Sequence, residues 1–253
     1  MADDDEVVTS GDFRLTAHLA RPPMSAGRMT QQPGLVLCHG LPVGAGSANT
    51  AGLTFPQLAD RIAVETGWVC LSYGSRGTGT SEGEFSVAGW VEDLHAAVAH
   101  LRRGGIDNVW LAGFSTGGTL AIHVAAGDEA IRGLAVLAAP SDLSAWSNDP
   151  SYLLGLARQV GVISADHQPD LGAWAREVIA LDPLNGAAAI PPRPFFIAHG
   201  SADEAVPLDN ARALADSAQG QCELHVIPMA GHRLRHDPRA VAILLGWLDR
   251  QST

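Results

Sequence analysis

The feature that most constrains this chain is an alternation between short, almost wholly apolar runs and longer stretches of helical period. The runs fall at 34–39, 68–73, 109–113, 134–139, 195–199 and 222–228. A strand covered by helices on both faces has no solvent side, so it reads as continuous hydrophobicity rather than as in–out alternation. Between the runs, Val87, Val91, Leu94, Val98 and Leu101 recur at three and four residues, which gathers them on one helical face. Segments 115–126 and Pro238–Arg250 have the same character. Strand and helix in strict succession predict βαβ units and an α/β protein with a mostly parallel sheet. Phe13–Ala20 differs, setting Phe13, Leu15, Ala17 and Leu19 against polar neighbours, and this predicts an antiparallel strand at the sheet edge.

The rhythm breaks at 142–190, where two helix-like pieces, 152–162 and Leu171–Leu181, are separated by Asp and Pro. This predicts a small helical cap inserted after one strand of a single domain spanning 1–253. Segment 24–33 reads as a polar loop.

Charge narrows the function. The formal net charge is −11 and the chain has no lysine, so its basic residues are all arginine and form no stripe of the kind a phosphate backbone requires. Nucleic acid is not an expected partner. The missing lysine also excludes Schiff-base chemistry and the phosphate-loop lysine. Cys38, Cys70 and Cys222 are odd in number and lie in or beside apolar runs, which predicts buried thiols in a reducing compartment. Residues 1–6 are acidic rather than signal-like, and no stretch has the length of a membrane span. The expectation is a cytoplasmic protein acting on a small molecule, away from membranes.

The pattern G-x-S-x-G occurs twice, at Gly113-Phe114-Ser115-Thr116-Gly117 and at Gly79-Thr80-Ser81-Glu82-Gly83. Context separates them. A nucleophilic serine of this type sits on a sharp turn from strand to helix, with small neighbours. Ser115 follows the apolar run Val109-Trp110-Leu111-Ala112 and precedes a helical stretch, whereas Ser81 lies between polar loop segments. A helix starting at Ser115 would also aim its free N–H groups at a developing anion.

A serine hydroxyl needs an imidazole to take its proton, and ten histidines are available. His232, in Gly231-His232 after the last apolar run, occupies the place expected of the base in the chain order serine, acid, histidine. His18, His95, His100, His123 and His225 lie within helices or strands, and His199 and His236 near the presumed acid and base. The acid expected to orient the imidazole is Asp203, after the run ending at His199, with Asp142 as competitor. Two backbone donors are expected for an oxyanion, the N–H groups of Leu41 and of Thr116. Losing one such donor typically costs about 3–4 kcal/mol of transition-state stabilisation. In the cap, Trp146, Tyr152, Leu154 and Trp174 are expected to line an apolar substrate pocket.

Together, His39-Gly40, Gly113-Phe114-Ser115-Thr116-Gly117, Asp203 and Gly231-His232 resemble the α/β-hydrolase superfamily over nearly the whole chain. The stretch from Arg76 to Phe85, with Asp93-Leu94 downstream, resembles its cinnamoyl-esterase and dienelactone-hydrolase side, except that Gly74 stands where relatives commonly carry aspartate. The resemblance implies an eight-stranded, mostly parallel sheet with a cap after the sixth strand. It also implies a cofactor-free, metal-free serine hydrolase working on a carboxylic ester through an acyl-enzyme. Peptidases, thioesterases, perhydrolases and carbon–carbon hydrolases share such a triad, and a non-catalytic small-molecule binder on the same scaffold is a further alternative.

Overall fold

The computed structural model describes residues 5–23, 32–50 and 55–252. Most of the expected loop at 24–33 and the acidic start at 1–4 lie outside them. An eight-stranded sheet runs through the molecule, formed by β1 (Asp5–Ser10), β2 (Phe13–Ala20), β3 (Gly34–Cys38), β4 (Val69–Tyr73), β5 (Val109–Phe114), β6 (Leu134–Leu137), β7 (Phe195–Gly200) and β8 (Glu223–Ile227). Their spatial order is β1-β2-β4-β3-β5-β6-β7-β8. Only the β1–β2 and β2–β4 pairings are antiparallel.

Five strands, β3 to β7, are buried at every position, which is why the sequence announces them as unbroken apolar runs. Two strands depart from expectation. Phe13–Ala20 is not the sheet edge, because β1 pairs along its outer side from Asp5↔His18 to Ser10↔Phe13. Strand β8 is the opposite edge, and although apolar in sequence it is largely exposed except at Ile227.

Helices cover both faces. On one lie α1 (Phe55–Thr66) and α9 (Pro238–Arg250). Trp110 there meets Trp68 and Trp247 edge to face, with ring centroids 5.3 and 5.7 Å away. On the other lie α2 (Val87–Arg103), α3 (Thr116–Gly127) and α8 (Asp209–Ser217). In α2, the Ser86 side chain caps the start by accepting from Gly89 N–H, and His100, Arg102 and Arg103 complement the dipole at the end. The sequence reading missed α1 and α8.

Between β6 and β7 come α4 (Ser144–Asn148), α5 (Pro150–Val160), α6 (Leu171–Leu181) and α7 (Pro183–Ala188). Helix α5 begins and ends two residues before the expected 152–162. Asp149 caps it, Pro150 fills its first turn, and Gly161 at φ 89° takes the left-handed position that stops it. Among the described residues, no helix is long and apolar enough to cross a membrane.

Candidate active site

Adjacency in the sheet assembles the site. In the β3–β5 register Cys38 lies opposite Gly113, so the residues leaving β3 and β5 emerge side by side at the carboxyl edge. Strands β7 and β8 are parallel neighbours and deliver the next two loops to the same rim.

Ser115 occupies the one-residue corner between β5 and α3, with φ 55° and ψ −131°. Such a conformation costs a non-glycine residue on the order of 1–3 kcal/mol and persists only where its surroundings hold it. They do so through the Ser115 N–H, which donates to Leu137 O at 2.9 Å, and through glycine at Gly117, where a Cβ would lie 2.4 Å from the carbonyl oxygens of Cys38 and His39. The side chain is thereby lifted off the sheet edge.

His232 Nε2 lies 2.9 Å from Ser115 Oγ, and His232 Nδ1 lies 2.8 Å from Asp203 Oδ2. Asp203 is turned inward, its side chain fully buried, and Oδ1 accepts from the N–H groups of Ala205 and Val206 at 2.9 Å each. Two backbone donors and one imidazole thus hold a carboxylate that has no solvent to orient it. Gly200 permits the approach of the two loops, since a Cβ there would meet Ala230 O at 2.2 Å. His199, wholly buried, donates from Nε2 to Val206 O at 2.8 Å and lies 3.3 Å from Asp203 Oδ2.

Asp142, the competing acid, is exposed; its Oδ1 accepts from the Ser144 N–H at 2.7 Å, which holds its carboxyl below the usual range. Ser81 is bound into the scaffold. Its hydroxyl donates to Gly74 O at 2.7 Å and accepts from Thr16 N–H at 3.0 Å. The loop before it is fixed by Arg76, which donates from its backbone and guanidinium to the buried Asp93 at 2.7–3.0 Å.

His39 braces the loop after β3. Ser75 N–H donates to its Nε2 at 3.0 Å, so the ring proton is on Nδ1 and is donated to Gly40 O at 2.9 Å. Burial pushes its pKa down, which favours this neutral form. The next residue is Leu41, and its N–H is engaged, donating to Thr116 Oγ1 at 2.7 Å. The two residues expected to hold an oxyanion are therefore joined to one another. Cys38 offers no rival nucleophile, because burial raises its thiol to about 12. Cys38, Cys70 and Cys222 are all free; Cys222, expected to be buried, is half-exposed.

A cavity of about 180 Å³ opens beside Ser115 and His232, walled by Leu41, Phe55, Leu137, Arg233 and Arg235. Behind Leu41 and Thr116 is a second space of about 20 Å³, closed by Leu120, Leu143 and Trp146. Of the four cap residues expected to line the pocket, Trp146 lines the second, smaller space. Tyr152 is exposed because its position on α5 faces solvent, Leu154 is buried in the core, and Trp174 is consumed by edge-to-face packing on Phe85 at 5.2 Å. The sequence reading passed over Arg233 and Arg235, although two arginines closely following the presumed base in an acidic chain were a visible signal.

The arrangement of elbow, acid loop and histidine loop around a mostly parallel sheet is that of the α/β hydrolases. The chain belongs to that family: the family described as alpha/beta hydrolase fold matches residues 33–164. No curated protein matches this chain. Among solved structures it is similar to Est1E from Butyrivibrio proteoclasticus with ferulic acid bound, at 20% identity and a TM-score of 0.70 over 97% of both chains. It is also similar to the proline iminopeptidase of Mycobacterium smegmatis, at 17% identity and 0.68 over 98% of both. A third is the meta-cleavage product hydrolase CumD of Pseudomonas fluorescens, at 17% identity and 0.67 over 97% of this chain and 98% of that one. These likenesses establish a shared fold; the three proteins differ in chemistry.

Proposed function

We propose that this protein is a serine hydrolase that cleaves carboxylic esters through an acyl-enzyme. The observation that carries the reading is the hydrogen-bonded line Asp203–His232–Ser115, at 2.8 and 2.9 Å, ending on a serine held in a strained corner. With Asp203 accepting at Nδ1, the imidazole presents an unprotonated Nε2 to the hydroxyl, which is the tautomer a general base needs.

Ser115 Oγ attacks the ester carbonyl while His232 takes its proton. The tetrahedral oxyanion is held by the Thr116 N–H at the start of α3 and by Leu41 N–H, which exchanges its Thr116 hydroxyl for the stronger acceptor. His232 then passes the proton to the departing alkoxide as the acyl carbon–oxygen bond breaks. Water, deprotonated by the same imidazole, attacks the acyl-enzyme, and the acid leaves as Ser115 regains its hydrogen. Every atom of this cycle comes from ester, water and these side chains.

The test is labelling by a fluorophosphonate followed by peptide mapping. Modification at Ser115, abolished in Ser115→Ala, is the expected result. Modification at Ser81, or none on correctly folded protein, overturns the reading.

A further inference from the structure

A second imidazole lies against the acid of the hydrogen-bonded line. His199 is the penultimate residue of β7, opposite Val226 of β8 in the sheet, and its side chain is fully buried. The rest of the strand before it, Phe195, Phe196, Ile197 and Ala198, is buried and apolar. An apolar side chain at 199 would enter this core without desolvation cost. An imidazole brings in two polar nitrogens, and Nδ1 has no hydrogen-bond partner among the described residues. What offsets the cost is Nε2, which lies 2.8 Å from Val206 O and 3.3 Å from Asp203 Oδ2. Both neighbours are acceptors, since Oδ2 takes the hydrogen of His232 Nδ1, so Nε2 carries the proton of the His199 ring.

Through that single N–H the strand bears on both oxygens of the carboxylate. Oδ2, the atom that orients the base, faces it directly. Oδ1 is reached through Val206, whose carbonyl accepts from His199 while its own N–H donates to Oδ1 at 2.9 Å. The turn carrying Asp203 is otherwise exposed at Ser201, Ala202, Glu204 and Ala205, so its placement depends on ties to the sheet behind it. Misplacement by about 1 Å is the scale on which catalysis falls about a hundredfold. We infer that His199 is a positioning residue: its Nε2–H holds Asp203 at both oxygens and, through Asp203, aligns the His232 imidazole on Ser115. This rests on the serine-hydrolase reading above and extends its hydrogen-bonded line into the rigid strand.

Two replacements separate alignment from packing. His199→Phe keeps a ring and removes the N–H, whereas His199→Gln carries an amide N–H the same number of bonds from the backbone as Nε2. The readouts are kcat and KM for p-nitrophenyl acetate and the rate of fluorophosphonate labelling at Ser115, each on protein shown to be folded by denaturant titration. His199→Phe should lower kcat and the labelling rate about 10- to 100-fold and leave KM within about twofold, because a fully buried ring touches no substrate. His199→Gln should return both rates to within about threefold of wild type. Should His199→Phe fail to fold, His199→Asn, whose amide is one bond too short to reach Val206 and Asp203, takes its place with the same expectation. A residue acting through Asp203 adds little once the acid is disabled, so His199→Phe in an Asp203→Asn background should slow labelling by less than about threefold. A further loss of about tenfold or more there, or the full wild-type rate in folded His199→Phe, overturns the positioning role. The expected labelling pattern without turnover of the ester retains that role and overturns the ester-cleaving reaction. Folded wild type that resists labelling overturns both.

Discussion

The two G-x-S-x-G segments carry the same residue pattern and do opposite things. At 113–117 the pattern bridges β5 and α3, where the chain turns within a single residue at φ 55°, so Ser115 is strained and its hydroxyl meets an imidazole. At 79–83 the pattern lies in a loop whose turns are made by Gly77, Gly79 and Gly83 at positive φ, and Ser81 turns inward to close hydrogen bonds with Gly74 and Thr16. A hydroxyl spent on backbone partners is scaffold. One held away from them is free to react.

Replacing each serine sharpens this contrast most. Ser115→Ala should lower ester hydrolysis by at least about 10⁴-fold at unchanged stability. Ser81→Ala should keep activity within about twofold, yet lose about 0.5–1.5 kcal/mol in denaturant titration, since the Thr16 N–H and the Gly74 carbonyl lose their hydroxyl partner. Equal activity losses in the two variants would erase the distinction. The acids form a parallel pair. Asp203→Asn should cost about 10⁴-fold in kcat by disturbing the tautomer of His232, and Asp142→Asn, at an exposed turn, less than about twofold.

Smaller effects are expected around the oxyanion loop. Thr116→Val removes the acceptor of Leu41 N–H, which then reaches the ester carbonyl before reaction begins, and KM should fall about threefold; Thr116→Ser should restore it. The smallest effect concerns pH. Burial keeps folded His39 unprotonated, whereas the unfolded chain takes up a proton below the ordinary value of 6.5. The unfolded state therefore binds more protons in acid, and stability falls as pH drops below about 6.5. Thermal unfolding of His39→Asn should show a shallower acid slope than wild type.

Much of this was legible in the chain because burial writes itself into composition. Strands β3 to β7 are covered on both faces and appear as unbroken apolar runs, so the loops that follow them could be located and searched for serine, acid and histidine. Strand β1 was hidden because it begins with acids, and its identity depends on pairing with β2 rather than on its own pattern. Exposed β8 was misread as buried for the converse reason, since apolar residues such as Leu224 and Val226 remain at the surface. Helices α5 and α6 were legible as helices but not as a lining: spacing tells which residues share a face and leaves open whether that face meets the core or a cavity. The Leu41–Thr116 bond joins residues 75 apart in sequence and follows only from the register of β3 on β5.

That bond also bears on how the proposed oxyanion site rests between turnovers. A main-chain amide aimed at a reaction centre ordinarily binds solvent, which must be expelled whenever a substrate loads. Here a covalently tethered hydroxyl takes that place, and a threonine at a helix start has two accessible side-chain rotamers, so vacating it needs rotation about one bond rather than exchange with bulk water. The local concentration of this competitor is fixed by the chain and not by the medium.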